Sequence, residues 1–234
     1  MIKKFLLEHG ASEVGYAMID GCQSELLKEY AGAEKYKYSI SVVVRLSGGA
    51  LDGITDKPTH TYFQHYRTVN AFIDRLVLMA GMEIQKQGYD YIPVAASQSI
   101  GGYTGLFQHK TVARLAGLGG IGKSGLFISK KYGPRVRLGS ILTNMPLECG
   151  LPFEEDLCGE CNICSSLCPA MAISGRAFSL DNPDDTLDRH ACSTYMKDHF
   201  KDIGRGVVCG ICVKNCPHGS AGILREKSVL KPSF

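Results

Sequence analysis

Hydrophobic and polar positions follow patterns typical of a mixed α/β core over the first 150 residues. Apolar residues occupy every second position of Ser39–Leu46, which predicts a β-strand with one apolar face. Between residues 60 and 87 they recur at spacings of three and four, which predicts a long amphipathic helix packed on a sheet. Another strand is predicted over Arg135–Thr143, with both arginines on the face opposite the apolar residues. Shorter patterns predict an opening helix that ends near Gly10 and a strand over Val14–Ile19.

Composition limits the class of protein. The chain has 234 residues, 44% hydrophobic and 21% charged, which are ordinary values for a globular protein and exclude a disordered chain. No apolar run approaches the roughly 20 residues of a membrane span, and the N-terminus lacks a signal-peptide pattern. We therefore expect a cytoplasmic protein without a membrane partner.

The distribution of cysteine divides the chain into two segments. Eight of the ten cysteines lie between Cys158 and Cys216, and only Cys22 and Cys149 lie outside that stretch. Gly and Pro at positions 150 and 152 mark a boundary, so we expect an α/β domain over residues 1–148 and a loop-rich domain over 149–234. Reduced thiols concentrated in this way indicate metal binding.

The cysteine-rich segment contains a repeat. Its first half is C-x2-C-x2-C-x3-C-P from Cys158 to Pro169, the run found in bacterial ferredoxins, where the fourth cysteine binds the neighbouring cube. The second half, from Cys209 to Pro217, has Gly206 where a fourth ligand would stand, and Cys192 is the spare cysteine nearby. We therefore predict two 4Fe–4S clusters. Their ligands are Cys158, Cys161, Cys164 and Cys216 for the first cluster, and Cys168, Cys192, Cys209 and Cys212 for the second.

Two structural zinc sites are the alternative, because zinc also binds four thiolates. Zinc motifs usually pair two C-x2-C hooks, whereas this run has three closely spaced thiolates and a crossing Cys-Pro. Each 4Fe–4S cube with four thiolates carries a net charge of about −2, so two clusters change the formal charge of +3 to about −1. The charge thus gives no reason to expect nucleic-acid binding.

A glycine-rich segment, Gly117–Ser124, matches both the phosphate-loop and the dinucleotide-binding patterns. Both patterns need a strand before the glycines and a helix after them. Here the segment before has helical composition and the segment after is β-like, so nucleotide binding is not expected. The glycines and Lys123 are still suited to a close approach to another cofactor.

These motifs together resemble epoxyqueuosine reductases. The resemblance is carried by His109–Lys123, by Tyr132–Leu147 and by the two runs that end in Cys-Pro. The stretch Gly-Pro-Arg-Val-Arg-Leu is also similar to reductive dehalogenases. The resemblance implies an α+β chain, with an N-terminal nitroreductase-like domain that binds cobalamin and a C-terminal ferredoxin-like domain with two clusters. It also implies a reductase in which electrons pass from the clusters to base-off cobalamin.

The resemblance further implies which residues contact the cofactor and the substrate. The candidates for cofactor binding are Ser97, Gln98, Lys110, Gly117, Gly119, Gly120, Gly122, Lys123, Arg135 and Arg137. For Arg135 and Arg137, a solvated strand face is the alternative. Epoxyqueuosine reductases carry an aspartate before the glycine loop, but residues 91–110 contain no Asp or Glu, so the candidate proton donor is Tyr103, His109 or a water.

Two further departures affect the expected substrate. Gly120 replaces the aromatic residue usual in the family's loop, and the chain ends at Phe234, where tRNA-modifying relatives continue into a helical-repeat extension. We therefore expect a small-molecule or unidentified substrate rather than tRNA, and a ferredoxin or flavodoxin as electron donor. The alternative function is an electron-transfer or corrinoid-activating protein without substrate chemistry of its own.

Overall fold

The computed structural model describes residues 1–19, 30, 32–98, 101, 105 and 107–219. It contains two compact units, each built from separate stretches of chain. The first unit comprises residues 1–45, 67–119 and 137–154, and the second comprises 46–66, 120–136 and 155–234. The expected boundary after residue 148 falls inside the last stretch of the first unit and stays a prediction.

Helices and strands alternate in the N-terminal half, and short helices follow in the cysteine-rich part. In chain order they are α1 Ile2–Glu8, β1 Glu13–Met18, β2 Tyr38–Arg45, α2 Gly48–Asp52, α3 His60–Lys86, β3 Tyr91–Val94, α4 His109–Leu115, β4 Gly119–Ile121, β5 Phe127–Ser129, β6 Val136–Thr143, α5 Ile163–Ser166, α6 Arg189–His199 and α7 Ile211–Asn215. Short 3₁₀ helices span Ala33–Lys35, Pro183–Asp185 and Gly204–Gly206.

The sheet of the first unit has the strand order β1-β2-β6-β3. Strands β1 and β2 are antiparallel, and so are β3 and β6. The residues of β2 from Ser39 to Val44 are buried without a break, so the expected single apolar face is wrong. A central strand covered on both sides cannot show a solvated face, and here Ser39 and Ser41 are fully buried beside the valines.

Helix α3 confirms the long amphipathic helix expected from the spacing of apolar residues. Its buried positions include Ile73, Leu76, Val77 and Ala80, which share one face. Gly139 of β6 lets this face approach the sheet, because a Cβ there would overlap with Ile73. No helix among the described stretches of the chain is long and apolar enough to cross a membrane.

The second unit carries the cysteines from Cys158 to Cys216 on two short helices, on the longer helix α6 and on loops. Helices α5 and α7 pack together, which brings the two halves of the repeat side by side. Asp188 is the N-cap of helix α6, and its carboxylate accepts a hydrogen bond of 2.9 Å from the N–H of Ala191. Its last turn carries Lys197 and His199, which suit the negative end of the helix dipole.

Candidate iron–sulfur centres and cofactor site

The structure brings together Cys158, Cys161, Cys164 and Cys216, which we call the first cysteine group. Burial raises the pKa of the Cys164 thiol, and the nearby thiolates of Cys158 and Cys161 raise it further. The pKa of Cys216 is raised by burial and then by Cys158 and Cys164. Cys216 therefore joins three cysteines that precede it by more than fifty positions.

The second cysteine group consists of Cys168, Cys192, Cys209 and Cys212. Burial, followed by the charges of Cys209 and Cys168, raises the pKa of Cys192 to about 11. Burial also raises the pKa of Cys209 and of Cys212, and the thiolate of Cys209 is the largest charge acting on Cys212. Helix α6 thus brings Cys192 close to Cys209 and Cys168.

The donor set of both groups fits an iron–sulfur cluster. Burial first, and the neighbouring thiolates second, raise the pKa of Cys192 and of Cys216, so four thiolates in such surroundings need a cationic core between them. The described residues contain no group of three His, Cys, Asp or Glu side chains placed to hold a single ion. A 4Fe–4S core is wider than one ion and keeps its thiolates farther apart.

Backbone N–H groups point at the sulfurs of both groups. The N–H of Lys123 donates to Sγ of Cys158 at 3.4 Å, and the N–H of Ala172 donates to Sγ of Cys168 at 3.4 Å. The amides of His218 and Gly219 lower the pKa of Cys216 by hydrogen bonding, although burial outweighs them. Such bonds stabilise thiolate ligands and tune the potential of a bound cluster.

The glycine-rich segment is a helix end followed by a hairpin, which confirms the order expected from composition. Helix α4 stops at Gly117, whose φ of 72° and hydrogen bond to Arg114 form a Schellman ending together with the bond from Leu118 to Ala113. Strands β4 and β5 then pair as a two-stranded sheet. Gly117 is also tightly packed, since a Cβ there would lie 2.6 Å from the carbonyl oxygen of Leu151.

The turn of this hairpin contacts the first cysteine group. A Cβ at Gly122 would lie 3.0 Å from Sγ of Cys158. The side chain of Lys123 is buried, and its Nζ donates to Oδ1 of Asn162 at 3.3 Å. The glycines and Lys123 were expected to approach a cofactor closely. In the structure, Gly122 and Lys123 contact Cys158, one of the predicted cluster ligands.

Arg135 is buried, so the alternative of a solvated strand face is wrong for this residue. Its Nη1 donates to Asp52 at 3.0 Å and its Nη2 donates to the carbonyl oxygen of Lys214 at 3.2 Å. Lys214 lies on α7 between Cys212 and Cys216, and its own Nζ donates to the carbonyl of Ile54. The guanidinium therefore braces the short helix that carries Cys212 and is followed by Cys216.

Arg137 lies in a polar network of the first unit. Its Nε donates to Oδ1 of Asn70 at 2.8 Å, and its Nη2 donates to Ala96 O and to Ser97 Oγ, each at 3.1 Å. Asn70 in turn donates to Ser97 at 2.8 Å. Ser97 and Gln98 are exposed. A cation, hydroxyls and amides at an accessible edge fit the amide and phosphate groups of a large polar cofactor.

Both ring nitrogens of His109 are engaged within the first unit. One contacts Oγ of the buried Ser140 at 2.8 Å, and the other lies 3.0 Å from the carbonyl oxygen of Ala95. Burial lowers the pKa of His109 to about 4, and the positive charge of Arg137 acts in the same direction. A neutral imidazole must donate to the carbonyl and accept from the serine, so it positions this segment and has no extra proton to release near pH 7.

The remaining candidates occupy different places. Lys110 lies in the first turn of α4, and Gly119 and Gly120 begin β4. Tyr103 and Cys22 lie outside the described residues. Cys149 is exposed and belongs to neither cysteine group.

Four residues of these sites were not expected from the sequence. Asn162 holds the side chain of Lys123, Asn70 joins Arg137 to Ser97, and Asp188 lies close enough to Cys192 to raise its pKa. His218 donates from Nε2 to the carbonyl oxygen of Leu157 at 2.6 Å, which ties the two halves of the repeat together. Only Asp188 had a sequence signal, because an aspartate four positions before Cys192 suits a helix N-cap.

Comparison with known proteins identifies the cysteine-rich segment. Residues 157–219 match the family described as the 4Fe-4S double cluster binding domain. This match confirms two 4Fe–4S clusters as cofactors and does not support the zinc alternative. The assignment of individual cysteines to each cluster stays a prediction.

The comparisons also extend beyond that segment. An epoxyqueuosine reductase from Lactococcus garvieae is 33% identical over 124 residues, which are 49% of this chain and 33% of the relative. The tetrachloroethene reductive dehalogenase of Sulfurospirillum multivorans is 32% identical over 152 residues, 60% of this chain and 28% of the relative. The chain resembles both groups of reductases. The matched segments span only about a third of the length of these curated relatives.

The fold agrees with this resemblance. A solved reductive dehalogenase, whose structure suggests a mechanism for B12-dependent dehalogenation, superposes with a TM-score of 0.75 at 19% identity. The superposition covers 99% of this chain and 34% of the dehalogenase. The expected α+β architecture, a mixed α/β part with a two-cluster ferredoxin-like segment, is thereby confirmed.

Proposed function

We propose that this protein is an iron–sulfur oxidoreductase that binds cobalamin in its N-terminal α/β part and reduces an organic substrate. One observation carries this proposal. The similarity to the tetrachloroethene reductive dehalogenase extends over 152 residues, far more than the cluster segment at 157–219. A simple electron carrier would need to share only the cluster segment with such an enzyme.

The residues of the second unit would hold the two clusters and fix the positions of their ligands. Two groups of four cysteines supply the thiolates, and the amides of Lys123 and Ala172 stabilise them. Arg135 and Lys214 hold α7 through bonds to Asp52 and Ile54, and this helix carries Cys212 and is followed by Cys216. When bound, clusters of this type supply single electrons at low potential.

The polar edge of the first unit would hold cobalamin, which supplies a cobalt centre able to reduce or attack carbon. Ser97, Gln98 and Arg137 are the donors best placed for its polar groups, and Lys110 and the glycines at 117 and 119 complete the set proposed for this unit. His109 orients the segment that carries Ala95. Tyr103 is the proposed proton donor, because its phenol can donate to a substrate in a water-excluded pocket.

The proposed partners follow from one-electron chemistry. A ferredoxin or a flavodoxin can deliver single electrons, and either serves as the proposed donor. The proposed substrate is a small molecule, with tRNA as the less favoured choice, and the proposed location is the cytoplasm, where thiols stay reduced.

The first test is the metal content of protein purified without oxygen and incubated with hydroxocobalamin. We expect about eight iron atoms per chain, as two 4Fe–4S clusters require, and one cobalt that survives gel filtration. The variant Arg137→Met removes the cation proposed to bind cobalamin. A hydrogen bond from a charged group is worth roughly 1.5–3 kcal/mol, so the variant should bind cobalamin at least about tenfold more weakly. Arg75→Met, which removes an exposed arginine of α3, is the matched control.

Full iron without retained cobalt would contradict the cobalamin proposal. It would favour a second candidate, an electron-transfer or corrinoid-activating protein. This candidate is favoured by the lack of any Asp or Glu in residues 91–110, where epoxyqueuosine reductases carry an aspartate. An added corrinoid protein tests this candidate, since a carrier passes electrons to it and reduces its cobalt, whereas a reductase that holds its own cobalamin does not depend on it.

A further inference from the structure

Lys123 is a buried cation without a carboxylate partner. The residue is 9% exposed, and within the described part of the chain no Asp or Glu lies within ion-pair distance of its Nζ. The ammonium group instead donates to the neutral amide of Asn162 at 3.3 Å. Burying an ammonium group is costly unless an opposite charge compensates for it. The fold therefore needs an anion close to Lys123.

The surroundings of Lys123 identify that anion. Asn162 directly follows Cys161, and the N–H of Lys123 itself donates to Sγ of Cys158. Both ends of the residue therefore contact the loop that carries three cysteines of the first group. A 4Fe–4S core of charge 2+ with four thiolates has a net charge of −2, and one added electron makes it −3. Lys123 is placed to offset this charge.

A carboxylate lies beside each cysteine group. In the first group, the N–H of Cys158 donates to Oδ1 of Asp156 at 2.8 Å. In the second, Asp188 caps the helix that carries Cys192, and its carbonyl oxygen accepts a hydrogen bond of 3.1 Å from the N–H of Cys192. The buried ammonium group of Lys123 is therefore an additional charge, of the opposite sign, beside the loop of the first group.

We propose that Lys123 raises the reduction potential of the cluster held by the first cysteine group. This inference depends on the two 4Fe–4S clusters and on neither cobalamin nor a substrate. It also gives a role to the Gly-x-x-x-x-Gly-Lys-Ser pattern, whose lysine here compensates an iron–sulfur anion instead of a phosphate.

A redox titration of the anaerobic protein with dithionite, followed by electron paramagnetic resonance, tests the proposal. We expect Lys123→Met to decrease the electron affinity of one cluster at least tenfold, which is about 59 mV for a one-electron couple, and to leave the other unchanged. Lys123→Arg keeps the positive charge, so the reduction potential of the first cluster should stay close to the wild-type value. Lys130→Met, which removes an exposed lysine just after β5, should shift neither potential. A Cys192→Ser variant that retains only the first cluster assigns the signals.

Unchanged potentials in a fully iron-loaded Lys123→Met protein would overturn the proposal, and so would equal shifts of both clusters. If Lys123→Met binds less iron, the reduction potentials of the Asn162→Asp variant decide the question. This substitution places a carboxylate at the position that now accepts from Nζ, 3.3 Å away, and neutralises Lys123 without removing it. It should lower the potential of the same cluster, and an unchanged potential would refute the role of Lys123.

Discussion

Gly122 lies so close to Cys158 that a Cβ atom at position 122 would stand 3.0 Å from the sulfur of that cysteine. The same atom would overlap with Cδ1 of Ile128. At Gly122 the backbone of the hairpin turn therefore packs directly against the first cysteine group, with no side chain between them. This close approach also lets the amide of Lys123 reach the sulfur.

Gly122→Ala should lower the occupancy of the first cluster. Forcing a methyl group into this contact costs roughly 1–3 kcal/mol and moves either the hairpin or the cysteine. Iron per chain should fall from about eight towards four after purification without oxygen. Gly53→Ala is the control, because a Cβ there meets only Thr59 at an ordinary 3.6 Å. Equal iron in both variants would contradict the expected effect.

Cys192→Ser should remove the second cluster and spare the first. The thiol of Cys192 lies with Cys209 and Cys168, and no cysteine of the local repeat can replace it. Iron analysis should give about four atoms per chain instead of eight. Cys149→Ser, which changes an exposed cysteine outside both groups, should keep the full content. If Cys192→Ser also keeps all its iron, another residue must be the ligand.

Asp188→Asn should raise the reduction potential of the second cluster. The substitution removes a negative charge beside Cys192, whereas asparagine still caps α6 about as well as aspartate. The potential of the first cluster should not move. Asp184→Asn is a useful comparison, since Asp184 pairs with Arg189 in the same region. A shift of equal size in both variants would indicate a general surface effect.

The stability of the protein should decrease as pH falls from about 6.5 towards 4, partly because of His109. Its pKa is lowered from 6.5 to about 4 in the folded state, so between these values the unfolded chain binds a proton that the folded chain does not. At pH 5.5 this one group lowers the free energy of unfolding by roughly 1 kcal/mol.

The pH dependence of the urea midpoint measures this effect. His109→Gln should flatten the dependence between pH 6.5 and 5, whereas His60→Gln, at an exposed position, should keep it. A His109→Gln protein that follows the wild-type slope would show that the imidazole is not held neutral.

The sequence alone determined the features that depend on local spacing. Alternation and three-four periodicity predicted that β2 and α3 exist, because successive residues of a strand face opposite sides and a helix that buries one side repeats its apolar residues every three or four positions. The spacing of Cys158, Cys161 and Cys164 predicted a cluster, since thiolates three positions apart can wrap one cube. The glycine pattern also resembled a nucleotide loop, but the order of helix and strand around it already excluded that reading.

Only the tertiary structure decided which partners these residues have. Lys123 meets Asn162, Arg135 meets the carbonyl of Lys214, and the side chain of His109 lies between Ser140 and Ala95, all through contacts between distant parts of the chain. No local pattern encodes such contacts, because they depend on how elements pack and which polar groups burial leaves to be satisfied. Arg135 and Arg137 look alike as alternate residues of one segment, yet the fold buries the first as a brace and leaves the second beside an accessible edge.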